Sequence, residues 1–455
     1  MKRLLLHILI LSAAVLSLYS CRMGREFRTP ELDVPATFDE GGMTEGIASD
    51  IGWSTLYADT VLQGLISKAL EHNKDMLAAA ARIRELMAAK RITFANMMPG
   101  VGFNLYGERE YLNYGGSSKK YDPELQANFA FNWELDIWGN LRWQNEAAVA
   151  QYLQSVEAQR ALQLTIVSQV DLKALDRELS IVRQTLDARR DAVHFATLRY
   201  EGGLTSEIPY RQSLVELART ETLVPKLENE IKLKENDLSV LLGEFPSSIP
   251  RGGGDLSNIT MGCELPVDLP STLLERRPDV LQAEQALREA NAKVGVALTD
   301  MFPKFRLTAK LGAENPEFTD FLKSPTWFVS GAITGPLFQL GRKRAAHKAA
   351  QAAYEQEVYA YEKKILEVFK EVNNALITYR KSKEMRRSAN ALYRSALSYN
   401  NLAKLQYVNG VVSYMDVLDA QRQLFDSEIA VNDAILAELT ATVSLYRALG
   451  GGLKQ

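Results

Sequence analysis

The stretch LQANFAFNWELDIWGN, residues 125–140, decides the fold. Every odd position from Leu125 to Ile137 is apolar, whereas Gln126, Asn128, Asn132, Glu134 and Asp136 stand at even positions. A period of two sends successive side chains to opposite faces of a strand, so this strand has one apolar and one polar face. The alternation stops at Trp138-Gly139, and neither Gly nor Pro recurs before Gly202. A two-faced strand therefore runs straight into a long helix, expected over 140–200.

The same plan is written twice. NKDMLAAAARIREL (73–86) is echoed by RPDVLQAEQALREA (277–290), DIWGNLR (136–142) by PLFQLGRKR (336–344), LRYEGGLTS (198–206) by LQYVNGVVS (405–413), and Leu242-Gly243 by Leu449-Gly450. Self-similarity on this scale predicts one structural unit repeated. Each copy is expected to hold a helix (58–95; 271–299), then two strands (101–110 and 125–137; 305–314 and 326–337). A long helix follows (140–200; 342–408), then a glycine-marked turn and a second long helix (206–242; 412–449). The chain thus divides into a signal (1–20), an extended arm (21–52), repeat 1 (53–243), a Pro/Gly linker (244–270), repeat 2 (271–450) and a tail (451–455).

In FRLTAKLGAE the residues Phe305, Leu307, Ala309, Leu311 and Ala313 share one face, opposite Arg306, Thr308, Lys310 and Glu314. The long helices carry a different period. Tyr354, Val358, Tyr361, Ile365, Val368, Val372, Ala375 and Tyr379 recur at alternating steps of four and three, as do Leu175, Leu179, Val182 and Leu186. That spacing predicts left-handed supercoiling against neighbouring helices.

Bulk properties exclude several classes. Across 455 residues the net charge is only −3 and 46% of residues are hydrophobic, which argues against disorder and against a nucleic-acid partner. Beyond the N-terminus, no window is expected to be apolar enough for a membrane-spanning helix. MKRLLLHILILSAAVLSLYSC (1–21) reads as an export signal, with Lys2 and Arg3 before an apolar core from Leu4 to Leu18. It ends on Leu18-Tyr19-Ser20-Cys21, a lipobox-like site at which Cys21 becomes the lipidated first residue of a bacterial lipoprotein. Only Cys263 remains, so no disulfide is expected within the mature chain.

Strands of about ten residues suit an outer-membrane barrel. A sheet in hydrocarbon must close on itself, because an open edge leaves backbone groups unpaired. Four strands are too few for the smallest single-chain barrels, which have about eight. Several copies must therefore share one barrel.

These residues resemble the outer-membrane efflux factor family, the TolC-like and OprM-like exit ducts. The duplicated plan carries the likeness, together with CRMGREFRTPELDVPATF (21–38), LLERRPDVLQAEQALREANAKVGVA (273–297) and YVNGVVSYMDVLDAQRQLFDSE (407–428). The resemblance implies a mixed α and β membrane protein with a TolC-like duplicated fold. Four β-strands per protomer would contribute to a trimeric 12-stranded outer-membrane β-barrel. A long periplasmic α-helical coiled-coil barrel would continue it. It further implies a homotrimer in outer-membrane lipid, anchored through Cys21 at the Gram-negative outer membrane and extending into the periplasm. The implied partners are a periplasmic adaptor (membrane fusion) protein and an inner-membrane efflux transporter. The implied function is a passive exit duct for small molecules, with a type I protein secretion exit or a non-conducting periplasm-spanning lipoprotein as rivals.

The resemblance also implies a gate at the helical tips. Asp416 and Asp419 match the paired aspartates of the family's periplasmic entrance, and a spacing of three puts both on one helix face. Tyr407 matches a tyrosine that helps to hold TolC-like entrances shut. Val412 stands where its partner arginine would be, and Ile208 and Pro209 replace the polar residues that receive the latch. Closure here is expected to rest on Tyr407, on apolar packing at Val411 and Val412, and on the aspartates. Gly203, Leu204, Gly410 and Val411 mark the tip turns and the expected adaptor contacts. Catalysis is not expected. His72, His194 and His347 are isolated, RGGGD (251–255) opens no helix, and no cofactor is called for beyond the covalent lipid on Cys21. Trp133, Trp138 and Trp327 fall in or beside membrane segments, where interfacial tryptophans are common.

Overall fold

A computed structural model describes residues 22–30, 34–35, 60–113, 119–167, 172–251, 274–315, 317, 319–320 and 323–451. The export signal, Cys21, Trp53, Cys263 and most of the linker lie outside the described residues. The elements run α1 (Thr60–His72), α2 (Lys74–Ala95), β1 (Gly100–Asn113), β2 (Lys119–Leu135), α3 (Asn140–Val167), α4 (Leu172–Glu201) and α5 (Glu207–Leu241). The second series is α6 (Pro278–Thr299), β3 (Lys304–Glu314), β4 (Pro325–Thr334), α7 (Arg342–Val408) and α8 (Tyr414–Ala448). Both series follow the expected order. The boundaries depart from expectation in two instructive places.

The first helix of repeat 1 is broken rather than continuous over 58–95. Asn73 accepts hydrogen bonds from the backbone N–H groups of Asp75 (2.9 Å) and Met76 (3.0 Å), capping α2 and ending α1. Strand β2 stops at Leu135, two residues early, because Asp136 is taken by the next helix. Its carboxylate accepts from the N–H groups of Leu141 (3.0 Å) and Arg142 (2.9 Å), donors that the first turn of α3 cannot satisfy itself.

The chain forms two compact units, each drawing on both repeats. One comprises residues 1–32, 81–157 and 281–363, and the other 33–80, 158–280 and 364–455.

In the first unit the strands form one antiparallel sheet in the order β1-β2-β3-β4, which leaves β1 and β4 as its edges. The register sets Phe103 opposite Phe129, Phe129 opposite Leu311, and Leu311 opposite Trp327. Val101, Phe131, Ala309 and Val329 form the adjacent row on the same face. Phe103, Phe129, Leu311 and Trp327 are all exposed, Trp327 to 78%. The opposite face is mostly polar, with Tyr106 and Phe328 as large exposed exceptions. Thr308 Oγ1 donates to Asn132 Oδ1 (3.1 Å), Gln126 Nε2 to Glu314 Oε2 (3.0 Å), and Glu134 pairs with Lys304 (3.1 Å). An exposed apolar band this continuous marks a face that lipid or another apolar surface covers.

Where strands hand over to helices, aromatic residues brace the turn. Trp138 donates from Nε1 to the Pro303 carbonyl (2.8 Å), and its ring centroid lies 5.0 Å from that of Phe302. Gly139 has a φ of 83°, open to glycine at little cost, and Gly341 repeats it in the second copy at 79°.

The second unit is helical. Helix α4 packs along α5, and α8 lies against both. Two of the heptad positions read from the sequence, Leu179 and Val182, close on Leu227 and Ile231, and a second core gathers Val431, Ile435 and Leu439 around Ala174. Ile365, Val368, Val372 and Ala375 of α7 are likewise buried. At 1.5 Å per residue, the 67 residues of α7 make a helix of about 100 Å. One expectation is corrected here. Helix α8 is long and apolar enough, by composition, to cross a membrane. Half of its most apolar window is buried, and Val417, Ala420, Val431, Ile435 and Leu439 lie in the cores of the helical unit.

The two repeats also end alike. Asn73 Nδ2 donates to the Leu241 carbonyl at the end of α5 (2.9 Å), and Arg277 Nη1 to the Ala448 carbonyl at the end of α8 (2.6 Å). Arg277 is buried and grips Asp279 through both Nε (2.9 Å) and Nη2 (2.8 Å), and Glu371 through Nη2 (2.7 Å). Burial pushes the Asp279 carboxyl up, but the paired guanidinium outweighs it and holds the group below the usual carboxylate range.

Candidate gate at the helical tips

Both tips lie in the helical unit and are built the same way. At the first, Leu204 N–H donates to the Arg199 carbonyl (2.8 Å) and Gly203 N–H to that of Tyr200 (3.0 Å). At the second, Val411 N–H donates to Gln406 (2.9 Å) and Gly410 N–H to Tyr407 (3.0 Å). This paired closure of a helix end needs a left-handed residue after the cap, and Gly203 and Gly410 supply it with φ of 70° and 72°. Leu204 and Val411 project from the turns, 71% and 69% exposed. The apolar packing expected of Val411 is therefore not made within one chain.

Tyr407, on the last turn of α7, is central to the second tip. Its ring packs on Tyr414 with centroids 5.4 Å apart, and both cover a small core of Ala403, Val417 and Ala420. Tyr414 donates its hydroxyl to the Ala192 carbonyl of α4 (3.4 Å). Above the same Tyr407 ring stands Arg199, its Cζ 5.4 Å from the centroid. Deeper in, buried Arg189 of α4 pairs with Glu216 of α5 at 3.1 Å, and burial pulls its pKa down. At the first tip, Tyr200 stacks on Tyr210 at 5.7 Å and 3°. Aromatic pairs thus stiffen both turns.

The aspartates have local partners. Asp416 is exposed in the first turn of α8 and accepts from the Ser413 N–H (2.9 Å) and hydroxyl (2.6 Å). The Ser413 hydroxyl, with its backbone N–H, holds the Asp416 carboxyl below the usual carboxylate range. Asp419 pairs with Arg422 and accepts from Gln423 Nε2 (2.7 Å).

Arg199 and Tyr414 were not singled out from sequence. One signal pointed to the first. LRYEGG and LQYVNG differ at the residue before the shared tyrosine, arginine in one repeat and glutamine in the other. Among the described residues no cluster of His, Cys, Asp and Glu could hold a metal ion.

A family model described as "Outer membrane efflux protein" matches residues 65–244 and 269–451. The chain belongs to the outer membrane efflux protein family. Among relatives, it is 30% identical to "Cation efflux system protein CusC" of Escherichia coli O6:H1, covering 97% of each chain. It is 29% identical to "Probable outer membrane lipoprotein SilC" of Salmonella typhimurium, covering 94% of each. Among solved structures, the outer-membrane channel OprN superposes with a TM-score of 0.89 at 25% identity, over 96% of this chain and all of that one. The motifs quoted from the sequence thus led to the right family, and the fold is that of its channels.

Proposed function

We propose that the protein is the outer-membrane channel of a tripartite efflux pump, a passive duct that carries small molecules across the periplasm and outer membrane. The observation that carries this reading is the exposed apolar band on a four-stranded sheet whose edges β1 and β4 are open. Lipid would cover the band. The edges would be satisfied if β1 of one copy paired with β4 of the next. Three copies would give a twelve-stranded barrel with its polar face towards water, as in membrane barrels generally. The long helices would line the periplasmic part of the bore. They would meet a periplasmic adaptor and an inner-membrane transporter at the tips, through Gly203, Leu204, Gly410 and Val411. The name of the relative SilC supports lipid attachment, here at Cys21.

Closure at the tip would use Tyr407, Asp416 and Asp419, with Arg199 taking the place of the missing arginine from the opposite hairpin. Threefold symmetry would make each aspartate a ring of like charge that favours cations. No group in the site calls for catalysis. Planar-bilayer recording of the purified protein tests the reading: cation-selective current is expected, with selectivity lost in the variant Asp416→Ala/Asp419→Ala.

A further inference from the structure

Phe328 interrupts the mostly polar face of the sheet beside a charged neighbour. It stands on β4 directly opposite Lys310 of β3, and it is 51% exposed. Directly opposed residues of an antiparallel pair have Cβ atoms about 5 Å apart, so the ammonium and the ring share one patch of surface. Continued across the sheet, the same row holds only Ala130 on β2 and Gly102 on β1. A Cβ added at Gly102 would meet nothing within 4 Å, so the floor beside the pair is open. Lys310 is exposed, and its neighbours in the two adjacent rows (Thr308, Gly312, Asn128, Asn132, Thr326 and Ser330) are all uncharged. Glu134 and Glu314 stand two rows away, about 13 Å along the strands, and both have partners of their own. Glu134 pairs with Lys304 (3.1 Å) and Arg306 (3.7 Å), and Glu314 accepts from Gln126 Nε2 (3.0 Å).

We propose that Lys310 and Phe328 form a binding station for small organic anions that carry an aromatic ring, the class of aryl sulfonates and aryl carboxylates. The ammonium takes the anionic group and the Phe328 ring packs against the aromatic part. The bare floor at Ala130 and Gly102 leaves room for the ligand to lie flat on the sheet. This rests on reading the polar face as the wall of a water-filled bore. Copies that share one barrel then repeat the station at one height. Ammonium groups gathered in a confined bore without carboxylate partners raise the local concentration of anions. The sign of this station is opposite to that of Asp416 and Asp419 at the tip.

Block of single-channel current in planar bilayers tests this. Naphthalenesulfonate is placed in both chambers, and methanesulfonate, which has the same charge without the ring, serves as its comparison. Naphthalenesulfonate is expected to reduce the current steps at concentrations about tenfold below those that methanesulfonate needs. Lys310→Gln should weaken block by both anions about tenfold, and Lys310→Arg should keep it. Phe328→Ala should remove the advantage of naphthalenesulfonate and leave methanesulfonate as it was. Crosslinking to a trimer in the bilayer fraction reports that each variant has folded and inserted. A conducting parent protein that naphthalenesulfonate does not block would overturn the proposal, and so would undiminished block in Lys310→Gln. An inserted trimer that passes no current would instead overturn the duct reading, and the station with it, so the two failures are distinct.

Discussion

Arg199 Cζ stands 5.4 Å from the centre of the Tyr407 ring, so the last turn of α4 and the last turn of α7 are joined by a cation over an aromatic face. The contact crosses from one repeat's hairpin to the other's. It is made by the ring rather than by the phenol hydroxyl. A contact of this kind stabilises by about 0.5–2 kcal/mol, depending on how far it is desolvated. Arg199→Ala and Tyr407→Ala should each raise the open probability of the reconstituted channel severalfold, whereas Tyr407→Phe should leave it closed. Single-channel recording distinguishes these. An open channel in Tyr407→Phe would assign closure to the hydroxyl and reject the ring contact.

Ser413 sets the titration of Asp416. Its hydroxyl and N–H stabilise the carboxylate, so the folded value lies below the ordinary one and the group stays charged into mildly acid solution. Ser413→Ala should raise the Asp416 pKa towards that ordinary value. Cation selectivity, recorded against pH, should then fade at a higher pH in the variant than in the parent protein.

The buried Arg277–Asp279 pair makes a stability prediction. The Asp279 carboxyl titrates lower in the folded than in the unfolded chain. Its contribution is therefore full above the unfolded value of about 3.9 and is lost as pH falls through the folded value. Asp279→Asn leaves buried Arg277 with Glu371 as its one remaining carboxylate partner among the described residues and should cost up to about 3 kcal/mol at neutral pH. The deficit should shrink as the parent protein is acidified through the same range. Thermal unfolding of the detergent-solubilised protein at several pH values measures both.

On the sheet, the two faces should respond in opposite ways. Phe129→Lys places a charge in the apolar row beside Phe103 and Leu311, at a cost of about 2–4 kcal/mol near the middle of a bilayer. Asn104→Lys, on the polar face, should be tolerated. Heat stability of the outer-membrane form checks the pair.

Much of this architecture was legible in the sequence because its periods are strict. The odd residues from Leu125 to Ile137 gave the strand faces, and the heptads around Ile365 and Val372 gave the buried helix stripes. Gly203 and Gly410 marked the turns because a left-handed residue is required there. Less visible were interactions between residues far apart in the chain. No local pattern says that Asn73 will reach Leu241, or that Arg199 will cover Tyr407. Asp136 hid for another reason, since as an even residue it continued the strand's alternation while its carboxylate was committed to capping α3.

The central claim is that this chain conducts, and ionic current through the tip-released double variant Arg199→Ala/Tyr407→Ala in planar bilayers tests it most directly. Long-lived, cation-selective current steps are expected from protein shown by crosslinking to be inserted as a trimer. An inserted trimer of that variant with no current would contradict the account and favour a periplasm-spanning tether.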